Sequence, residues 1–264
     1  ETGVKHKKTF DYIFNKTEAI TLEQSKLTLS KDITILSFSD SSMVDRNSSI
    51  IKVDSGWIVY SKNSESSILS FTSDGQFSGY IGHRGNGPGE YTSVYDVVVN
   101  QKSKVLEVLS DGGIFCYTFG GDFLDKKEVT YPAFSFAIDD RQNYWFYVGN
   151  NTTYGDAKMI CTDENIANVA YYLHQKSNML PMVENNFGRN GEWLTFHESL
   201  NHDLYTIENG KLDLSYAMDF PNYKLPKKLH ELSGMEVIEE LQRSNYASCL
   251  LYTSPSPRDR QKSR

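Results

Sequence analysis

A glycine-rich loop at Gly82–Tyr91, with the sequence GHRGNGPGEY, holds the residues best suited to contact a ligand. The candidate ligand-binding residues are Arg84, Asn86, Glu90 and Tyr91, which offer a guanidinium, an amide, a carboxylate and a phenol. A structural interpretation competes with this one, because glycines permit close approach of the backbone and Glu90 can accept backbone N–H groups. The sequence designates no catalytic residue in the loop.

Known catalytic fingerprints do not fit the chain. The loop glycines lack the spacing of a dinucleotide site, and no P-loop Lys-Ser/Thr follows them. The stretch His197–His202 (HESLNH) is not a zinc-protease motif, because residue 201, where the second histidine would stand, is asparagine. Asp111, Asp139 and Asp140 lie at turns, where aspartate makes local hydrogen bonds; calcium binding is the alternative. We therefore expect no metal site and no cofactor.

The elements that would position these residues repeat along the chain. Hairpin residues recur at a constant step of 46 positions: Val53 and Val99, Phe71 and Tyr117, Gly75 and Gly121, Phe77 and Phe123. A period of roughly 40–50 residues with several short strands is typical of a β-propeller blade. One four-stranded blade has two apolar faces, so neighbouring blades must cover one another. The alternative is a β-sandwich whose hairpins happen to share this spacing.

Strand-type residues bounded by turns predict about four blades. The predicted blades span Ile50–Ile81, Val94–Val129, Phe134–Cys161 and Trp193–Phe220. We interpret Tyr171–Gly191 as the connection between the third and fourth blades, and Ile33–Phe38 as a blade-closing strand without its partner. After Leu225-Pro226 the apolar residues recur at helical spacing, which predicts a short helical insert.

The composition is that of a globular domain. Of 264 residues, 39% are hydrophobic, and 17 tyrosines and 14 phenylalanines favour strands. No apolar run approaches the roughly 18 residues of a membrane span. The formal net charge of −7 argues against nucleic acid as a partner. Cys116 and Cys161 stand in apolar strand contexts and are predicted to be buried free thiols.

The end of the chain differs from the rest. Residues 249–259 (CLLYTSPSPRD) match a translated transposase sequencing adapter at every position, with a natural basic tail as the alternative. Without the charges of this tail the chain holds 23 basic against 33 acidic residues, a net charge of −10. We therefore predict three segments: 1–30, weakly patterned; 31–248, a partial β-propeller; and 249–264, a non-native tail.

Together these motifs resemble bacterial six-bladed β-propellers related to NHL-repeat proteins, many of which are exported lipoproteins. The resemblance covers residues 33–245 and rests on Ser70–Phe77, the Gly87–Glu90 core of the loop, Val97–Asn100, Asp203–Ile207 and Met218–Pro226. It implies an all-β, six-bladed β-propeller, truncated here to about four blades. It also implies an exported protein of the periplasm or cell surface.

The resemblance implies no settled catalytic residues for this chain. We expect a non-enzymatic binding or scaffold propeller of the bacterial cell envelope, holding a small molecule, a glycan or a protein. The alternative is a hydrolase or lyase with its site at the mouth of the propeller channel, because related propellers include such enzymes. Converging histidines and carboxylates would favour the enzyme, whereas aromatic residues without titratable pairs would favour binding.

Overall fold

The computed structural model describes residues 8–11, 33–37, 44, 48–62, 67–150, 155–174, 185–190, 193–198, 201–219, 226–232 and 234–243. In these residues the regular structure is β-sheet, apart from one short helical segment. Four sheets, each containing four consecutive strands, follow one another along the chain, and we call them blades 1 to 4. The predicted all-β fold with four propeller blades is confirmed.

The first three blades are antiparallel sheets whose strand order follows the chain. Blade 1 contains β2 (Ser49–Val53), β3 (Gly56–Tyr60), β4 (Leu69–Thr72) and β5 (Phe77–Tyr80). A two-residue parallel pair follows, β6 (His83–Arg84) and β7 (Glu90–Tyr91). Blade 2 contains β8 (Asp96–Asn100), β9 (Val105–Ser110), β10 (Gly113–Tyr117) and β11 (Phe123–Lys127). Blade 3 contains β12 (Ser135–Ile138), β13 (Tyr144–Tyr147), β14 (Ala157–Thr162) and β15 (Ala170–His174).

Among the described residues, blade 4 is the one blade with a fifth strand. Its own strands are β16 (Phe187–Asn190), β17 (Trp193–His197), β18 (Asp203–Glu208) and β19 (Lys211–Asp219). The N-terminal strand β1 (Lys8–Asp11) pairs in parallel with β19 and covers that edge. The predicted helical insert is confirmed as a 3-10 helix at Lys227–His230 followed by α1 (Gly234–Arg243).

The chain divides into two units. One holds blades 1 to 3, together with Glu208–Lys211 at the β18–β19 turn, and the other holds the rest of blade 4, β1 and the helical insert. Among the described residues, no helix has the length and apolar character needed to cross a membrane.

Blades 1 to 3 cover one another face to face. In β10, Phe115 and Tyr117 pack into a core shared with blade 1, and the alternating residues Ile114 and Cys116 pack into a core shared with blade 3. Successive side chains on a strand point to opposite faces, so one blade can serve two cores. Two separate cores in series are the packing expected of propeller blades rather than of a two-sheet sandwich.

The 46-residue repeat is preserved in the backbone hydrogen bonds. In the β4–β5 turn, Thr72 N–H donates to Gln76 O at 2.9 Å, and Gly75 N–H donates to Thr72 O at 2.9 Å. The β10–β11 turn repeats both bonds, from Thr118 to Asp122 at 2.9 Å and from Gly121 to Thr118 at 3.1 Å. Glycine is required at these turns because φ is +89° at Gly75 and +101° at Gly121.

Two strand predictions were wrong. Residues 33–37 form no strand beyond a single bridge at Ser37, and Ile33 and Ile35 are 84% and 76% exposed; residue 38 lies outside the described residues. The segment Tyr171–Gly191, interpreted as a connection, instead supplies β15 and β16. Its mixed polarity arises because β15 is an edge strand with partly exposed residues. The predicted segment boundaries at residues 30 and 248 stay predictions.

Candidate functional site

In blades 1 to 3, the connection that enters a blade and the loop that follows its second strand lie at the same end of the strands. The first residue of each first strand pairs at or next to the end of the second strand: Ser49 with Tyr60, Asp96 with Leu109, and Ser135 with Tyr147. We call this end of blades 1 to 3, with its loops, the rim. Binding residues are most often carried on loops that are grouped at one end of a rigid scaffold.

Equivalent rim positions carry different chemical groups in successive blades. The residue before the first strand is, in order, Ser48, Tyr95 and Phe134. The residue two positions after the partner of the first-strand residue is, in order, Lys62, Asp111 and Gly149. Tyr95 and Phe134 are structural equivalents, since each donates its backbone N–H to a second-strand carbonyl at 2.9 Å. The cores repeat from blade to blade and the rim does not, which makes the rim the candidate functional surface.

Asp111 organises the hydroxyl groups of the rim in blade 2. Its Oδ1 accepts from the Tyr95 hydroxyl at 2.5 Å, and its Oδ2 accepts from Thr92 Oγ1 at 2.7 Å and Ser93 Oγ at 3.2 Å. The bonds from Tyr95 and Thr92 lower the pKa of the Asp111 carboxyl below its usual range, and Asp111 raises the pKa of Tyr95. The cluster therefore stays a carboxylate and a neutral phenol at physiological pH.

Asp96 is a buried carboxylate that joins all three blades at the rim. Its Oδ1 lies 2.8 Å from Lys62 Nζ in blade 1, and its Oδ2 accepts the backbone N–H of Phe136 in blade 3 at 3.0 Å. Burial raises the pKa of Asp96, and Lys62 opposes that rise without cancelling it. This contact fixes the spacing of the blade ends.

In the predicted site loop, Glu90 supports the loop itself. Its Oε2 accepts the Gly87 N–H at 2.8 Å, and a Cβ added at Gly85 would lie 1.9 Å from the same oxygen. The strands β6 and β7 close the loop by parallel pairing, with Gly85 N–H donating to Tyr91 O at 3.1 Å. The expected role of Glu90 as an acceptor of backbone N–H groups is confirmed.

The other predicted site residues are divided between surface and core. Tyr91 is buried, and its hydroxyl lies 3.3 Å from both the Ile68 nitrogen and the Ile81 carbonyl oxygen, which are contacts of a core residue. Arg84 and Asn86 are exposed, and Arg84 Nε donates to Thr92 O at 3.2 Å. Arg84 therefore lies beside the Asp111 cluster. Ligand binding by Arg84, Asn86, Glu90 and Tyr91 stays a prediction.

Two further buried carboxylates accept hydrogen bonds that stabilise the fold. Glu107 accepts from Asn100 Nδ2 at 3.0 Å and from the Tyr144 hydroxyl of blade 3 at 2.8 Å. Asp139 accepts four hydrogen bonds in the β12–β13 turn, including one from Trp145 Nε1 at 3.0 Å. Asp139 is thus confirmed as a turn residue.

The remaining chemistry-bearing residues do not converge. Cys116 and Cys161 are buried free thiols, as predicted, and burial raises the pKa of each to about 12. His197 is buried on β17, where its backbone carbonyl accepts from Asn186 Nδ2 at 3.2 Å. Within the described ranges, no three His, Cys, Asp or Glu side chains come together as a metal site.

The predicted Gly82–Tyr91 loop lies at the rim, whereas Lys62, Tyr95, Asp96 and Phe134 were not predicted as site residues. Tyr95 and Phe134 could have been found by aligning the starts of the predicted first strands, since each immediately precedes one. The Lys62–Asp96 contact carried no such signal, because it joins separate blades.

The blades and their rim define a protein of the β-propeller class. The chain belongs to the family described as domain of unknown function DUF4934, which it matches over residues 7–253. No functionally curated protein matches the chain.

Solved structures support the fold. A Bacteroides fragilis protein described as exported superposes with a TM-score of 0.70 at 15% identity, covering 81% of this chain and 64% of its own. A member of the duf4221 family from Bacteroides vulgatus superposes with a TM-score of 0.51 at 12% identity, covering 78% of this chain and 67% of its own. The chain thus spans about two thirds of the length of each.

Proposed function

We propose that this chain is a non-enzymatic binding or scaffold propeller whose ligand site is the rim. The observation that carries the proposal is that the two rim aspartates are held by partners while two aromatic rings are exposed. Asp96 is paired with Lys62, Asp111 accepts three hydroxyl groups, and Tyr95 and Phe134 are 40% and 42% exposed.

This chemistry favours binding over catalysis. A general acid or base works best with a pKa near the operating pH. The Asp111 carboxyl and the Tyr95 phenol are instead shifted away from neutrality, the first downward and the second upward. The buried thiols at residues 116 and 161 are protonated at neutral pH and lie in the cores, so they supply no nucleophile at the rim.

We propose further that the protein is exported to the bacterial periplasm or cell surface and that the complete family propeller has six blades. The Bacteroides fragilis neighbour described as exported supports the location. Four blades are two thirds of six, and the chain spans 64% and 67% of the two solved neighbours. Sequencing the uninterrupted gene tests the blade number and the adapter origin proposed for residues 249–264, and a leader-processing assay tests export.

A ligand-observed NMR fragment screen tests the function. We expect hits that bind the wild-type chain and lose binding in Tyr95→Ala and Arg84→Ala, while Tyr171→Ala, an exposed aromatic on the β15 edge, retains them. Hits that bind the Tyr95→Ala and Arg84→Ala variants as well as the wild-type chain contradict the proposal. Turnover of chromogenic esters or glycosides that is abolished by Asp111→Asn would favour the enzyme instead.

A further inference from the structure

We infer that the rim binds a neutral, polyhydroxylated ligand, that is, a carbohydrate, with Tyr95 and Phe134 as the surfaces on which sugar rings stack. This inference rests on the proposed function, because it names the ligand class of the same surface.

Tyr95 and Phe134 occupy the same position in two neighbouring blades, and each residue is exposed by about two fifths. The equivalent residue of blade 1 is Ser48, so the aromatic pair belongs to blades 2 and 3. Asp96 of blade 2 accepts the N–H of Phe136, two residues after Phe134, so the two blade ends lie close together. Two aromatic platforms on adjacent blades suit a ligand that repeats, such as an oligosaccharide, whose C–H faces pack against aromatic rings.

Tyr95 is also held in place before any ligand arrives. Its hydroxyl donates to Asp111 at 2.5 Å, and Asp111 is held in turn by Thr92 and Ser93. Binding therefore costs little side-chain entropy at this ring.

The charges of the rim favour a neutral ligand. Thr92 connects two opposite charges, because its carbonyl accepts from Arg84 Nε at 3.2 Å and its hydroxyl donates to Asp111 at 2.7 Å. A compact anion drawn to Arg84 would meet the Asp111 carboxylate, and a compact cation drawn to Asp111 would meet the guanidinium. A sugar hydroxyl both donates and accepts, so it suits both groups at once.

The geometry also disfavours an extended peptide. Peptides that join a sheet do so along the length of an exposed strand edge, where main-chain groups are unpaired. The rim is made of strand ends and loops, and the first strands of blades 1 to 3 begin there.

Isothermal titration calorimetry with defined tetrasaccharides tests the inference. The neutral probes are cellotetraose, mannotetraose and N-acetylchitotetraose, and the charged comparisons are tetragalacturonate and tetralysine. We expect the full chain to bind at least one neutral probe with a Kd of about 1 mM or tighter. Tyr95→Ala and Phe134→Ala should each weaken that binding by roughly tenfold, the loss expected for an aromatic anchor. Tyr171→Ala should leave it within about twofold, as expected of a residue outside the site.

Tyr95→Phe separates binding from folding, because it keeps the ring and removes only the bond to Asp111. We expect an intermediate loss of binding and a cooperative urea transition whose midpoint falls only slightly, because a single exposed hydrogen bond is lost. Binding of no neutral probe, or preference for tetralysine, overturns the carbohydrate assignment. Preference for tetragalacturonate, an anionic oligosaccharide, overturns the assignment of a neutral ligand. If the charged probe then loses binding in Tyr95→Ala, the rim is still the ligand site and only the ligand class is wrong. Neutral binding that survives both alanine substitutions overturns the assignment of Tyr95 and Phe134.

Discussion

The ammonium group of Lys62 lies 2.8 Å from Oδ1 of Asp96, and the two side chains are only 11% and 9% exposed. This pair joins blade 1 to the first residue of blade 2. Because the other Asp96 oxygen accepts the Phe136 N–H of blade 3, one carboxylate sets the spacing of three blade ends. The rim is therefore a fixed surface rather than a set of independent loops.

Removing the lysine should strongly destabilise the protein. Lys62→Met leaves Asp96 buried without its cation, which we expect to lower the free energy of unfolding by about 3 kcal/mol. Urea denaturation measures this. The matched control is Lys104→Met, because the Lys104–Asp54 pair has the same chemistry at 3.0 Å but is exposed; it should cost less than about 1 kcal/mol. If the two substitutions lower the free energy of unfolding equally, the buried pair contributes no more stability than the exposed one.

The cost of Lys62→Met should depend on pH. Burial already raises the pKa of Asp96, so the folded state binds a proton more readily than the unfolded chain does. Loss of Lys62 raises this pKa further, so the variant becomes less stable as pH increases. The difference between variant and wild type should be largest near neutral pH and shrink as the pH falls toward the ordinary aspartate value. A difference independent of pH would mean that the charge of Asp96 is not the cause.

The glycine-rich loop should tolerate no side chain at Gly82. Its φ is +62°, and an added Cβ would lie 2.7 Å from the ring of Tyr117, whose hydroxyl donates to Gly89 O at 2.9 Å. We expect Gly82→Ala to cost at least about 2 kcal/mol, measured by urea denaturation. Gly120→Ala is the control, since a Cβ at this exposed turn would lie no closer than 3.5 Å to its nearest neighbour, Thr118 Oγ1. A Gly82→Ala variant as stable as Gly120→Ala would contradict this packing.

The Asp111 carboxyl should titrate below the ordinary aspartate range. The Tyr95 hydroxyl is the largest cause of its lowered pKa, so Tyr95→Phe should move the Asp111 midpoint upward in a carbon-13 NMR titration. The hydrogen bonds of the folded state stabilise the charged form, so this contribution is present above the unfolded value and is lost as pH falls through the folded one. An unchanged midpoint in Tyr95→Phe would mean that the phenol does not hold the carboxylate in solution.

The two core thiols should resist alkylation until the chain unfolds. Burial raises the pKa of Cys116 and Cys161 from 9.0 to about 12, which lowers the thiolate fraction at pH 8 by about a thousandfold. In a Cys249→Ser variant, iodoacetamide should leave both thiols unlabelled in buffer and label both in guanidinium chloride. Rapid labelling of either thiol in buffer would place it outside the core.

The hairpins of blades 1 and 2 were predictable because their signals are local. Alternating apolar residues and glycine turns recur at one step, and the structure repeats the same turn hydrogen bonds at Gly75 and Gly121. The strands β15 and β16 lacked such signals, since one is a partly exposed edge and the other, Phe187–Asn190, has a single large apolar residue. In contrast, Ile33 and Ile35 carried a strand signal and form none.

The rim was only partly predictable, because register creates it. Tyr95 and Asp111 are sixteen residues apart in sequence, and they meet because β8 pairs with β9. Lys62 and Asp96 meet because two blades pack together. Neither contact can be predicted from composition or residue spacing. The neighbouring Gly82–Tyr91 loop has a local glycine pattern, and it was therefore predicted as the site.

Hydrogen exchange measured by mass spectrometry, with and without a saturating amount of the tightest-binding probe, tests the rim most directly. We predict that exchange slows in the peptides covering residues 92–97 and 131–136, which carry Tyr95 and Phe134, and stays unchanged in the β11 and β15 edge strands. Protection confined to those edge strands, with none at the two rim segments, would contradict the assignment of the rim as the binding site.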